Sequence, residues 1–347
     1  MVKYSSFLRL DPEPKPRRVA ARDFCHGLLT MLQVLFRIHL FGHVIPIYGY
    51  GLMLVIAFLA CVKTSRWLAV RKGINPDHFV DAALIAIATG IVGARLCHVL
   101  ENIHEYTRAD LTVTQNLFNI VNTREGGLTF YGGFLLATPC CIAYGLWRKA
   151  KILVGMDIVA PVVMIGLGFG RIGCFLNGCC YGAPCDLPWA VRFPYYSNAY
   201  LDQYAHGKMI VPTDLKSTAG TPLNPDVPPV SDSPPLRVVA AGLTALPVHP
   251  TQLYSSFTAF LLAALLIVYL GLPHLDGRVF ALMLILEGLA RYVLELIRVE
   301  PAVFTLRLHG QSYAFSISMI LGLAAAVAGF ILWKLLGRRL AGSRDCG

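Results

Sequence analysis

Charge is scarce in this chain. Only 14% of its 347 residues are Asp, Glu, Lys or Arg, while 56% are hydrophobic types and the mean hydropathy is +0.59. An ordinary soluble domain carries about 25% charged residues, so lipid rather than water is the expected solvent for most of the molecule. Other absences narrow the field. There is no C-x-x-C pair, which argues against a thiol–disulfide enzyme. No span repeats another, which argues against a transporter built on inverted repeats. No small-residue cleavage site follows the apolar stretch near the N-terminus, so that stretch is not a clean signal peptide. No nucleic-acid motif is present. The excess of 30 Lys+Arg over 20 Asp+Glu therefore reads as cytoplasmic loops facing anionic lipid, not as a nucleic-acid partner.

What is present is a series of apolar runs. A helix crossing the hydrocarbon core needs about 20 mostly apolar residues. Candidates lie at 45–62, 79–100, 128–147, 153–170, 249–272, 277–297 and 312–336. The expected fold is thus an all-α integral membrane protein of about seven transmembrane helices. Asp157 makes the fourth span the weakest of the set. Lys63, Arg66, Arg71 and Lys72, then Arg148, Lys149 and Lys151, then Lys334, Arg338, Arg339 and Arg344 fall on alternate connections and mark the inside. This places the N-terminus out and the C-terminus in.

Residues 1–44 disagree, with seven basic residues on the expected outer side. They are read as an N-terminal extension: laid on the membrane surface through 24–41, including an unused upstream start, or adding a span. Residues 45–336 form the expected seven-span catalytic domain and 337–347 a cytoplasmic tail. Within the domain, 183–247 holds eleven of the 21 prolines. It reads as an extracytoplasmic insert with a flexible centre, too poor in apolar runs to pack as a second domain.

Ionisable side chains in spans cost about 2.5–3.5 kcal/mol each on insertion scales, so those present call for explanation. Arg95 sits late in the second span, either snorkelling to the interface or serving a site. Residues 168–182 (GFGRIGCFLNGCCYG) place Arg171 and Asn177 among glycines that allow close backbone approach. His249 and Gln252 open the fifth span three residues apart, on one face. Arg291, Glu295 and Arg298 close the sixth on a single face, with one positive charge to spare. A guanidinium beside a membrane surface suits a lipid phosphate. In the expected topology these segments converge on the outer leaflet, as a site for an anionic amphiphile entered from the membrane.

Together these motifs resemble the prolipoprotein diacylglyceryl transferase family. The resemblance runs over about 45–336, excluding much of 195–247. It is carried by Gly170-Arg171-Ile172-Gly173-Cys174-Phe175-Leu176-Asn177-Gly178 with Gly182 in register, by Tyr50 to Met53, by GGLTFYGG at 126–133, by His249-Pro250-x-Gln252-Leu253-Tyr254, and by Arg291-x3-Glu295-x2-Arg298. The resemblance implies a bacterial inner-membrane enzyme that moves the diacylglyceryl group of phosphatidylglycerol onto the lipobox cysteine of a preprolipoprotein signal peptide. It implies Arg171 and Arg291 on the phosphate, Glu295 orienting Arg291, and Tyr50 and Asn177 on the glycerol head group. Gly182, Gln252, Arg298 and Arg95 are further substrate-binding candidates. No cofactor or metal is called for.

The chain departs from the family pattern at Tyr131, where a histidine often assigned as base is usual, and at Cys174, Cys179 and Ser255. The base that takes the thiol proton is then Tyr131 beside an arginine, His249, or none, with the arginines activating the thiol; the last two are preferred. Six of the ten cysteines show no useful spacing. Cys174, Cys179, Cys180 and Cys185 have C-x4-C-C-x4-C spacing, which fits no standard zinc pattern. They are open to a disulfide, to packing as free thiols, or to metal or redox chemistry. Rival functions are an anion or lipid transporter, a membrane thiol–disulfide enzyme, and a phospholipid-group transferase with another acceptor.

Overall fold

In hydrocarbon a chain must satisfy its backbone N–H and C=O groups internally, which turns long apolar runs into helices. The computed structural model describes residues 34–40, 43–106, 112–122, 127, 129–217, 220–225, 229–298, 304–308 and 311–344. In chain order the elements are strands β1 (Val34–Leu40) and β2 (His43–Tyr48), helices α1 (Gly49–Arg71), α2 (Asp77–Glu101), α3 (Ile103–Tyr106), α4 (Val113–Val121), α5 (Phe130–Trp147), α6 (Ile152–Asn177), α7 (Asn198–Ala205), α8 (Pro234–Gly242), α9 (Thr251–Gly271) and α10 (Arg278–Glu295), strands β3 (Phe304–Leu308) and β4 (Gln311–Phe315), and helix α11 (Ile317–Arg344).

Among the described residues five helices, α1, α2, α6, α9 and α11 over Ile317–Gly337, are long and apolar enough to cross a membrane. α5 and α10 have 18 residues each, and α10 carries Arg278, Glu287, Arg291 and Glu295. The long helices expose large apolar side chains such as Leu135, Phe257 and Val268, an arrangement suited to lipid and unlike a soluble monomer.

Two expected span starts are corrected. The first and last spans are expected from 45 and 312, but both stretches begin as strands. β1 and β2 pair antiparallel, Leu40 opposite His43, and β3 pairs with β4, Phe304 opposite Phe315. Around Pro46 the sequence is rich in β-branched residues, and proline has no N–H to give a helix. α1 therefore starts at Gly49. Of the apolar stretch 24–41, residues 24–33 lie outside the described residues and 34–40 are strand.

α1, α6, α9 and α10 share one core, built on Leu68, Ile158, Met164, Leu266, Val279 and Met283. α2 packs on α5 with Gly93 against Gly132, where any Cβ would meet the opposing backbone, and α10 packs on α11 through Gly288 and Gly322 in the same way. Such small-residue contacts let helices approach closely in lipid. Asp157, the unexpected charge in the fourth span, is buried and accepts bonds from the N–H groups of Gly277 (2.6 Å) and Phe280 (2.9 Å). It thus caps the start of α10 from a neighbouring helix, satisfying donors that a helix N-terminus leaves open.

The segment between α6 and α9 is poor in long apolar runs, yet it packs, as an extension of the bundle. Phe193, Tyr195, Ala199, Tyr200, Val211, Leu215, Val230 and Val248 form a core of their own that continues into Phe175 of α6. Its apolar residues come in short groups rather than span-length runs, and large aromatic rings supply much buried area from few positions. The Tyr195 hydroxyl lies in this core, within bonding distance of the Leu223 (2.9 Å) and Leu215 (3.3 Å) carbonyls. Burial, reinforced by the phenols of Tyr200 and Tyr196, pushes Tyr195 up to about 12.

Candidate functional site

α6 ends at Asn177 because Gly178 takes the left-handed conformation (φ 71°), the usual helix terminator. Two residues on, Cys180 is also left-handed at φ 61°, which costs a residue with a Cβ about 1–2 kcal/mol. The loop that emerges is stapled to two other elements. The N–H of Gly182 donates to the His249 carbonyl (2.9 Å), that of His249 to the Ala183 carbonyl (3.0 Å), and that of Ala183 to the Ile297 carbonyl (2.9 Å). Gly182 also bridges to Arg298. A Cβ on Gly182 would stand 2.6 Å from Thr251 Cγ2 and 2.7 Å from His249 Cβ, so only glycine fits between the start of α9 and the end of α10.

Two side chains of α9 complete the joint. Gln252, fully buried, donates through Nε2 to the Cys179 carbonyl at 2.7 Å, and Thr251 donates through Oγ1 to the Cys180 carbonyl at 2.9 Å. One turn later Ser256 donates to the Gly168 carbonyl (2.9 Å). The end of α6, the start of α9 and the end of α10 are thereby fixed to one another.

Between them opens a small pocket lined by Arg171, Cys180, Thr251, Ser255, Glu287, Arg291, Leu294, Glu295 and Arg298. Three guanidinium groups and two carboxylates leave one positive charge in excess. Glu295 is 6% exposed and pairs with Arg298 at 3.7 Å. The expectation pairs Glu295 with Arg291; the ion pair in the structure is with Arg298. An open, cationic pocket with low-dielectric walls concentrates an anion, and guanidinium forks match phosphate oxygens.

The chain is similar to known proteins over most of its length. The chain matches the sequence model of a family described as prolipoprotein diacylglyceryl transferase over residues 34–335. The chain belongs to that family. Its match begins at 34, earlier than the 45 inferred from the motifs, and so takes in both strands of the first hairpin. Among its relatives is a phosphatidylglycerol–prolipoprotein diacylglyceryl transferase of Clostridium tetani, 29% identical over 311 residues, covering 88% of this chain and 98% of that protein. One of Corynebacterium glutamicum is 29% identical over 261 residues, covering 74% of this chain and 71% of the relative. One of Rhodopirellula baltica is 32% identical over 167 residues, covering 48% and 34%.

The family motifs do not all meet in the pocket. Arg171, Arg291, Glu295 and Arg298 line it; Gln252 and Gly182 hold its walls. Tyr50, at the start of α1, lies against α6, where a Cβ on Gly173 would touch its ring. Asn177 is the last residue of α6. His249 sits at the seam with its ring 6.2 Å from that of Tyr254, and its Nδ1 is buried with no hydrogen-bond partner among the described residues. Tyr131 is half exposed in the first turn of α5, which packs on α2, and is not among the pocket's lining residues. Arg95 is buried and its guanidinium donates to the carbonyls of Ile120 (2.8 Å), Gly127 (2.9 Å), Asn119 (2.7 Å) and Asn122 (2.7 Å). It ties α2 to the end of α4 and to the chain entering α5.

Glu287 is a site residue that the motifs do not pick out. It stands four residues before Arg291, within electrostatic reach of Arg291 and Arg171. The signal that could have found it is its place in the stripe 287, 291, 295, 298, each step one helical turn. The clustered cysteines are free thiols in the structure, as are all eight described cysteines.

Proposed function

We propose that this chain transfers the diacylglyceryl group of phosphatidylglycerol to the lipobox cysteine of a preprolipoprotein, releasing glycerol phosphate. The observation that carries the reading is the meeting of Arg171 of α6, Arg291 of α10 and Arg298, three residues past the end of α10, in one pocket. In the reaction the acceptor sulfur forms a bond to the terminal glyceryl carbon of the diacylglyceryl group, the bond from that carbon to the phosphate oxygen breaks, and its electron pair leaves with the phosphate. Arg171 and Arg291 stabilise the departing charge where it develops. Glu295 and Glu287 keep the guanidinium groups in place. Tyr50 and Asn177 receive the glycerol head group.

The acceptor thiol must lose its proton to attack. His249, at the seam beside the pocket, is the group assigned to take it, with the arginines lowering the cost of the thiolate. Tyr131 is the weaker candidate, since it does not line the pocket.

We place all seven long helices across the cytoplasmic membrane, α5 and α10 included, with Glu287, Arg291 and Glu295 of α10 facing the pocket and Arg278 at its far end over the Trp333 ring. The C-terminal ends of α1, α5, α9 and α11 then share one side. That side gathers Arg66, Arg71, Lys72, Arg148, Lys149, Lys151 and Lys334, which supports the cytoplasm there. The pocket and the segment between α6 and α9 belong to the opposite side, toward the outer leaflet.

Incubation of the purified chain with labelled phosphatidylglycerol and a lipobox peptide tests this. A thioether-linked diacylglyceryl peptide is expected. A folded protein that forms none overturns the reading, and head-group release without modified peptide points to a different acceptor.

A further inference from the structure

The turn after α6 does more than end a helix. Cys174 lies in the last turn of α6, and the two left-handed residues Gly178 and Cys180 fold the chain back on it. The result is that the sulfurs of Cys174, Cys179 and Cys180 all lie within 4.8 Å of one another, partly buried. The backbone that carries two of them is rigid, since Gln252 and Thr251 hold the Cys179 and Cys180 carbonyls. The strained residue is the one that completes the trio. Backbone strain of this kind persists only where the surroundings over-determine it.

We propose that Cys174, Cys179 and Cys180 form a three-thiolate site for a soft monovalent metal ion, Cu(I). Thiolates select soft metals. Three metal–sulfur bonds of about 2.3 Å, as in other first-row thiolate sites, set sulfurs about 4.0 Å apart in a trigonal plane, within the spread seen here. Structural zinc is almost always four-coordinate, and no fourth His, Cys, Asp or Glu ligand atom joins the group among the described residues. Binding one Cu(I) releases three protons and leaves a complex of charge −2, beside the guanidinium groups of the pocket that Cys180 helps to line. That anion and a lipid phosphate then compete for the same arginines, so copper acts as an inhibitor. This last consequence rests on the proposed transferase reading; the metal site itself does not.

The full chain in detergent, reduced, desalted and kept under ascorbate, is titrated with the Cu(I)–bicinchoninate complex. The wild type is expected to withdraw one copper per chain. C174S, C179S and C180S each hold it at least tenfold more weakly, and C185S matches the wild type. X-ray absorption on the wild type alone, which needs no variant to fold, is expected to give three sulfur neighbours. A two-sulfur shell, a stoichiometry indifferent to all three substitutions, or a preference for Zn(II) overturns the proposal. Copper loading is then expected to slow diacylglyceryl transfer at least tenfold, reversibly by chelator. Absence of any transfer by a chain with an intact one-copper site faults the transferase reading, whereas undiminished transfer by the loaded chain overturns the inhibitory role.

Discussion

Gly182→Ala is a one-carbon change with a large expected effect. The new Cβ would lie 2.6 Å from Thr251 Cγ2 and 2.7 Å from His249 Cβ, and 3.1 Å from the His249 carbonyl oxygen. Neither neighbour is the free end of a flexible chain, so the backbone must shift. Overpacking of this kind costs about 1–3 kcal/mol. The shift also strains the Gly182 N–H bond to His249 and, through Thr251, the bond to the Cys180 carbonyl, each worth about 1 kcal/mol. A total near 3 kcal/mol is roughly a hundredfold in an equilibrium constant. The expected outcome is a clearly lower unfolding midpoint in detergent and a loss of transfer greater than the loss of folded protein, because the arginine-bearing ends separate. Gly155→Ala is the control: that Cβ meets nothing within 4 Å, and alanine is favoured over glycine in a helix by about 0.5–1 kcal/mol. If Gly182→Ala is as stable and active as the wild type, or if Gly155→Ala falls as far, the close-approach argument fails.

Other substitutions probe the rest of the site. Arg171→Ala is expected to lower turnover about 100-fold or more with folding retained, as loss of one preorganised donor does elsewhere, and Arg291→Lys to lose a smaller share by giving up the bidentate fork; both are read as single-turnover transfer rates. His249→Ala should reduce transfer far more than Tyr131→Phe in the same assay, and the reverse order would return the base to α5. Gln252→Ala removes the donor to the partly buried Cys179 carbonyl and leaves a gap at a fully buried position, and should cost about 1–3 kcal/mol in denaturant unfolding. The segment between α6 and α9 should lose stability as pH rises from about 10, the ordinary phenol value, through about 12, because the folded state holds the Tyr195 proton more tightly than the unfolded chain. Tyr195→Phe, monitored by circular dichroism, should flatten that loss.

Much of the site is legible in the sequence alone. Arg171, Arg291, Glu295 and Arg298 stand out because charge in an apolar run is costly, and they do converge. The helix ends are less legible. Hydropathy does not distinguish an apolar strand from an apolar helical turn, so β2 and β4 merge into the neighbouring spans. Arg95 shows the opposite limit: its cost is evident, but the four carbonyls that repay it come from residues 119–127, far along the chain. The packing of 183–247 is hidden because its core draws aliphatic and aromatic residues from positions 193 to 248, and no span-length run announces it. Tertiary pairing decides all of these, and local pattern does not carry it.

Asp157 acts at the opposite end of the bundle from the arginines. It fastens the start of α10 to α6, and about 27 Å separates the ends of an 18-residue helix. The two helices that supply the arginines are therefore joined at both ends, by a carboxylate at the foot and by the Gly182 loop at the head. They work as a calliper set to one gap. A head group that needs a wider opening cannot gain it by hinging α10 away, so the size of ligand accepted is written partly at a residue that no ligand touches.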